Sequence, residues 1–147
     1  MLSASRSLFD QRLITLLGYA GTLPMVICIT FLETRWGLPL LKAYSLAIIA
    51  FLAGSWWTTA LLQRTVSARQ LRQILLLSNL IVIVAVLTVT FLDALALLII
   101  ASLFAFLLIG ERSLAVFSLQ PSYYRAMRGG VSALVIGLHL TAFFRTP

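Results

Sequence analysis

AYSLAIIAFLAGSWWTTALL, residues 43–62, holds no charged side chain over twenty positions. At about 1.5 Å of rise per residue a helix of that length spans about 30 Å, the thickness of a bilayer's hydrocarbon core. The stretch reads as a membrane helix. Along it Ala43, Ala47, Ala50, Gly54 and Thr58 recur at steps of three and four, so small side chains line one face. Ile48, Phe51, Leu52 and Leu62 occupy much of the rest. The small face is expected to let another helix approach closely. Trp56 and Trp57, with Arg64 shortly after, stand where indole rings and a snorkelling cation would anchor the helix end at the headgroups. The same rings could stack on a quinone or a sterol, although interfacial anchoring explains them without a ligand.

The remaining sequence belongs to the same kind of object. With 147 residues, 61% hydrophobic and 10% charged, and a mean hydropathy of +1.06, the chain cannot hide its apolar surface inside a soluble domain of its size. Backbone in lipid must satisfy its own hydrogen bonds, so helices or a closed barrel are the choices, and long apolar runs without alternation select helices. The fold class is therefore all-α, a single multi-pass transmembrane helical bundle. The net charge of +7 sits in clusters at the ends of apolar runs. It reads as topology signals and contacts to anionic lipid headgroups, not as a nucleic-acid surface. Cys28, the single cysteine, excludes an intramolecular disulfide and reads as a small packing residue.

Five spans are predicted, at residues 13–31, 43–62, 74–92, 94–109 and 129–144. Residues 1–12 are too polar to span and read as an interfacial helical start, with Leu8 and Phe9 against the membrane surface; a cleavable targeting segment is the other reading. The first span contains Gly18, Gly21 and Pro24, and the proline frees the carbonyl of Ala20, which predicts a mid-helix kink. Ile74 to Gly110 is almost continuously apolar, and one helix of that length would reach about 55 Å, so it must fold back. Asp93 interrupts it. An aspartate at the bilayer centre costs about 2.5–3.5 kcal/mol on insertion scales, whereas at a hairpin tip it can cap the next helix in water. Pro121 suits the first turn of a helix that carries Tyr123, Tyr124, Arg125 and Arg128 into the last span.

Orientation follows from the cations. Arg6, Arg12, Arg64, Arg69, Arg72, Arg112, Arg125 and Arg128 fall on one side, against Arg35, Lys42 and Arg145 on the other. This asymmetry predicts a cytoplasmic N-terminus.

Three stretches resemble one family. LLGYAGTLP at Leu16 to Pro24, AYSLAIIAFLAGSWW at Ala43 to Trp57 and PSYYRAMRGGVSALV at Pro121 to Val135 are similar in order and spacing to the signature segments of the transmembrane-protein-69-like family. Its members are small bacterial inner-membrane proteins of unknown function with relatives in mitochondria. The third segment is the most specific, a Tyr-Arg-x-x-Arg entry matched by Tyr124, Arg125 and Arg128. In the central helix Ala53 and Gly54 stand for the family's paired glycines and Trp57 for its tryptophan. Thr58 falls where glycine is common, which relaxes the helix crossing expected there. The resemblance implies a multi-pass inner-membrane protein and transfers no activity. The chain begins close to its first span without a long transit segment, so a bacterial inner membrane is expected.

Candidate sites are few. Arg125 and Arg128 are three apart and project from one face, continued by Ser132, Val135 and His139. They could hold an anionic headgroup or cofactor, pair with Glu111, or be ordinary interfacial anchors. His139 is the only histidine. It could relay protons or donate to a quinone, or be a neutral imidazole bonded to a carbonyl or a serine in a packing seam. Asn79, beside Ser78, is expected to make an interhelical hydrogen bond, with a substrate contact as the sharper reading. No phosphate loop, catalytic carboxylate pair, nucleophile elbow or metal-ligand spacing occurs, so neither enzymatic activity nor a cofactor or metal is expected. The expected function is a non-catalytic accessory or assembly component of a larger membrane complex, or a homo-oligomer. The alternative is a lipid- or quinone-binding protein or minor transporter using the Arg125, Arg128 and His139 face. Five spans do not divide into two equal inverted halves, which disfavours a standard transporter.

Overall fold

The computed structural model describes residues 2–63, 67–118 and 120–146, with side chains described from Leu8 onward. Its helices are α1 (Leu2–Ala20), α2 (Leu23–Thr30), α3 (Gly37–Leu62), α4 (Ala68–Phe91), α5 (Leu95–Ser113) and α6 (Ser122–Arg145), with a single 3-10 turn at Ala115–Phe117. No strand occurs among the described residues. Five segments are long and apolar enough to cross a membrane, α1 and α2 together forming the first, from Leu8 to Thr30. Large side chains such as Phe51, Leu62, Leu76, Phe91 and Phe144 stand more than seven-tenths exposed, an outer surface suited to lipid and unsuited to water. This is the architecture of a multi-pass membrane protein.

The predicted kink at Pro24 is a break. Proline has no N–H and its ring occupies the place of the carbonyl four residues back. The chain answers by ending α1 at Ala20, turning through Gly21 and Thr22, and restarting with Pro24 in the first turn of α2, where no donor is needed. Tyr44 of α3 donates to the Gly21 carbonyl, next to the one the proline frees, at 2.8 Å, so the turn is tied to a neighbouring helix. Thr22 closes it from inside, its hydroxyl donating to the Tyr19 carbonyl at 2.7 Å.

Three other helices are longer than expected, each for a local reason. α3 starts at Gly37, with Pro39 in its first turn. A Cβ on Gly37 would fall onto the Phe31 carbonyl and 2.7 Å from Leu32 Cα, so the turn from α2 closes only over a glycine. Gly37→Ala is expected to cost about 1–3 kcal/mol, seen as a lower thermal midpoint in detergent; an unchanged midpoint would mean that the turn opens freely. α4 starts at Ala68 behind a capping box in which Ser67 accepts from Gln70 N–H and the Gln70 side chain reaches back to Ser67 N–H. α5 continues to Ser113, which places Glu111 inside a helix rather than in a loop. Asp93 does lie in the turn between α4 and α5, exposed as expected. Its side chain does not cap α5; its backbone carbonyl instead accepts from Ala96 N–H at 3.1 Å. Lys42 steadies the same turn by donating to the Leu92 carbonyl at 2.6 Å.

Helices α3 and α4 pack as one antiparallel pair, α5 and α6 as another, with α1 against α6 and α2 against α3. The core lies where α3, α5 and α6 meet, at Ile49, Leu52, Trp56, Ile100, Phe104, Leu107 and Val135. The small-residue face of α3 is not part of it. Ala43, Ala47, Ala50, Gly54 and Thr58 are all exposed, and the buried face carries Leu41, Ser45, Ile49, Leu52, Ala53, Trp56 and Ala60. The physical reason is that lipid tails are as apolar as leucine, so no burial penalty forces either face inward. Interior volume is filled by the larger side chains. A Cβ on Gly18 of α1 would fall 2.5 Å from Met127 Sδ, so α1 sits closely on α6.

Candidate functional site

Helices α5 and α6 bring one ion pair into the bundle. On α5 the steps Ile100, Phe104, Leu107, Glu111 follow one face, and on α6 the steps Arg128, Ser132, Val135, His139, Ala142 do the same; all are buried. Arg128 Nη2 donates to Glu111 Oε1 at 2.7 Å and Arg128 Nε donates to Oε2 at 3.1 Å. Both side chains are under one-tenth exposed, at 8% and 6%. This two-point geometry is the strong form of the arginine–carboxylate pair. Trp56 Nε1–H of α3 points to the same Oε1 in a longer contact of 3.4 Å. The indole enters because Gly110 offers no side chain: a Cβ there would press on Trp56 Cη2 and lie 2.8 Å from Cζ2. Phe117 covers the ring with its centroid 5.4 Å away.

A second polar centre lies further along α6, about 16 Å from Arg128 at helical rise. His139 is fully buried. Its Nδ1 is 2.8 Å from the Val135 carbonyl, which only accepts, so that nitrogen carries a proton. Nε2 lies 2.8 Å from Ser45 Oγ, itself 2.6 Å from the Leu41 carbonyl; the serine's one proton serves one neighbour at a time. Phe104 closes the ring in at 5.7 Å. The imidazole is thus held in a packing seam by a carbonyl and a serine, the second of its two expected roles.

The predicted site residues therefore part company. Arg128 is spent on Glu111, His139 on Ser45 and Val135, and Arg125 is exposed beside Arg112 at the bundle end. No single face presents all three. Trp56, expected at the headgroups, is enclosed at 0% exposure, because a carboxylate inside the bundle supplies its N–H with a partner. Trp57 stays partly exposed and donates to Ser78 of α4 at 2.8 Å. Asn79 is exposed and donates to the Leu75 carbonyl of its own helix, so the interhelical role passes to its neighbour Ser78. Arg64 lies outside the described residues. Glu111 and Ser132 belong to readings the sequence offers, as a partner for the arginines and as a step of their face; Ser45 is the residue it leaves unmarked, and a three- and four-residue register with buried apolar neighbours is the signal for it.

A cavity of about 390 Å³ opens between α1, α3 and α6. Its walls are apolar, from Ile14, Leu17, Ile48, Phe51, Val131 and Val135, and Tyr124, Arg128 and Ser132 bring polar groups to it.

A family described as protein of unknown function (DUF3429) matches residues 11–144. No curated protein and no solved structure matches the chain.

Proposed function

The chain belongs to the DUF3429 family of proteins of unknown function, and from that premise and the uncovered face of α3 we propose a non-catalytic integral membrane protein that associates through this face. It acts as an accessory or assembly component of a larger membrane complex, or as a homo-oligomer. The observation that carries the proposal is the set Ala43, Ala47, Ala50, Gly54 and Thr58, left exposed once the chain's own helices have packed. A Cβ on Gly54 meets nothing within 4 Å. In lipid, such a surface gains from close backbone approach by another helix. The absence of activity is supported by how the buried polar groups are used: the ion pair and the histidine spend their hydrogen bonds on holding helices together.

The three segments that resemble the transmembrane-protein-69-like family lie within the matched residues, which supports reading the two as one family. A bacterial inner membrane and a cytoplasmic N-terminus complete the proposal. Exposed Arg12, Arg69, Arg72, Arg112 and Arg125 at one end of the bundle support that orientation.

The test is oxidative cross-linking in native membranes of Ala47→Cys in a Cys28→Ser background. A defined adduct is expected, at twice the 16.2 kDa chain mass for self-association or at another discrete mass for a partner. Adding Gly54→Leu is expected to abolish the adduct while leaving the thermal midpoint in detergent unchanged, because the new side chain enters open space. Monomer alone under oxidation, together with monomer alone in native mass spectrometry, would overturn the reading.

A further inference from the structure

Ser132 places a hydroxyl at the wall of the cavity between α1, α3 and α6. Helical hydroxyls at Ser45, Ser55, Thr59, Ser78, Ser102 and Thr141 each donate to a carbonyl of their own helix three or four residues back. Among the described residues the buried hydroxyls of Thr88 and Ser132 show no such bond, and of the two Ser132, 2% exposed, lines the cavity between α1, α3 and α6. No fully enclosed side-chain nitrogen or oxygen among the described residues lacks a partner, so the Ser132 oxygen faces the cavity whose wall it forms. An unbonded hydroxyl in apolar surroundings is costly. The group calls for an occupant that brings a hydrogen-bond acceptor to it.

Three observations define the occupant. The cavity presents no free charge, since Arg128, the one cation in its wall, is neutralised by Glu111; a neutral molecule fits better than a phosphate. Ser132 lies seven residues beyond Arg125, about 10 Å deeper along α6. A phospholipid with its phosphate at that exposed guanidinium holds its ester carbonyls only a glycerol unit away, and sets methylenes against the serine. The wall also carries the rings of Tyr44, Phe51, Phe104 and Tyr124, suited to a planar ring, and about 390 Å³ is within the usual range for a small-molecule site. We propose that the cavity between α1, α3 and α6 binds the head of a prenylated quinone, with a ring carbonyl accepting from Ser132 Oγ–H and the isoprenoid tail leaving toward lipid.

The test uses the full chain in delipidated detergent micelles, titrated with decylubiquinone by calorimetry. Wild type is expected to bind saturably. Ser132→Ala, which keeps the fold, is expected to weaken binding about fivefold, the effect of one hydrogen bond, and Ile48→Phe to abolish it by filling the space. Ser102→Ala, outside the cavity, is expected to leave binding unchanged. Failure of wild type to saturate, equal binding by Ser132→Ala, or a retained phospholipid that decylubiquinone does not displace would each overturn the proposal.

Discussion

Glu111→Ala is expected to destabilise the bundle by about 3–5 kcal/mol, because it leaves the Arg128 guanidinium buried with no counter-charge. Arg128 is 7% exposed, and its pairing with Glu111 is the one salt bridge among the described residues. Nothing else in reach replaces the carboxylate. The partner variant is expected to cost less. In Arg128→Met the Glu111 carboxylate keeps the Trp56 N–H as a donor, whereas the guanidinium left behind by Glu111→Ala loses both of its hydrogen bonds. The double variant Glu111→Leu, Arg128→Met removes both charges and is expected to return close to wild-type stability, as replacing whole buried pairs by apolar groups generally does. Reversible unfolding of purified protein in mixed micelles measures all three. A Glu111→Ala protein within about 0.5 kcal/mol of wild type would mean that Arg128 snorkels to water without cost. Equal losses for both single variants and the double would instead mean that the residues matter through packing.

The outline of the fold was legible in the sequence because membrane thickness constrains it. Apolar runs of span length, a run too long to be one helix, and an aspartate at its middle leave little choice but five helices with a turn at Asp93. What the sequence could not convey is which side of each helix faces inward. In a water-soluble helix the polar side settles this, but α3 is apolar all round, so Ala43 to Thr58 could be read as a seam and is instead the outer surface. Hydropathy alone places the helix ends short wherever polar residues continue a helix beyond the lipid, as at Arg69 and Glu111. Arg128 and His139 were recognised as notable, but as members of one face with Arg125. Only tertiary packing shows that each is satisfied by a different helix. Ser67 with Gln70 was readable as a capping box, and Glu111 as the next step after Phe104 and Leu107. Asn79 departs from its expected interhelical role for a reason internal to helices: its amide reaches the Leu75 carbonyl of its own helix.

Trp56→Ala is expected to be the other severe change, at about 3–5 kcal/mol, the usual cost of truncating a buried aromatic. Trp56 is enclosed by Gly110, Glu111 and Phe117 and is among the largest fully buried side chains of the chain. Its loss leaves a hole against α5 and removes a donor from the Glu111 carboxylate. The same geometry makes a sharper claim about Gly110. Because a Cβ there would press on the end of the indole, Gly110→Ala in the wild-type background is expected to cost about 1–3 kcal/mol through overpacking. In a Trp56→Phe background the smaller ring withdraws from that position, so the same Gly110→Ala change is expected to be nearly neutral. The difference between the two backgrounds is a coupling energy of about 1 kcal/mol or more, of the size direct neighbours show. A cycle of the four proteins by unfolding in mixed micelles gives it directly. Additive effects would place Trp56 away from Gly110, and with it the close approach of α3 to α5 that carries the Glu111 and Arg128 pair inside the bundle.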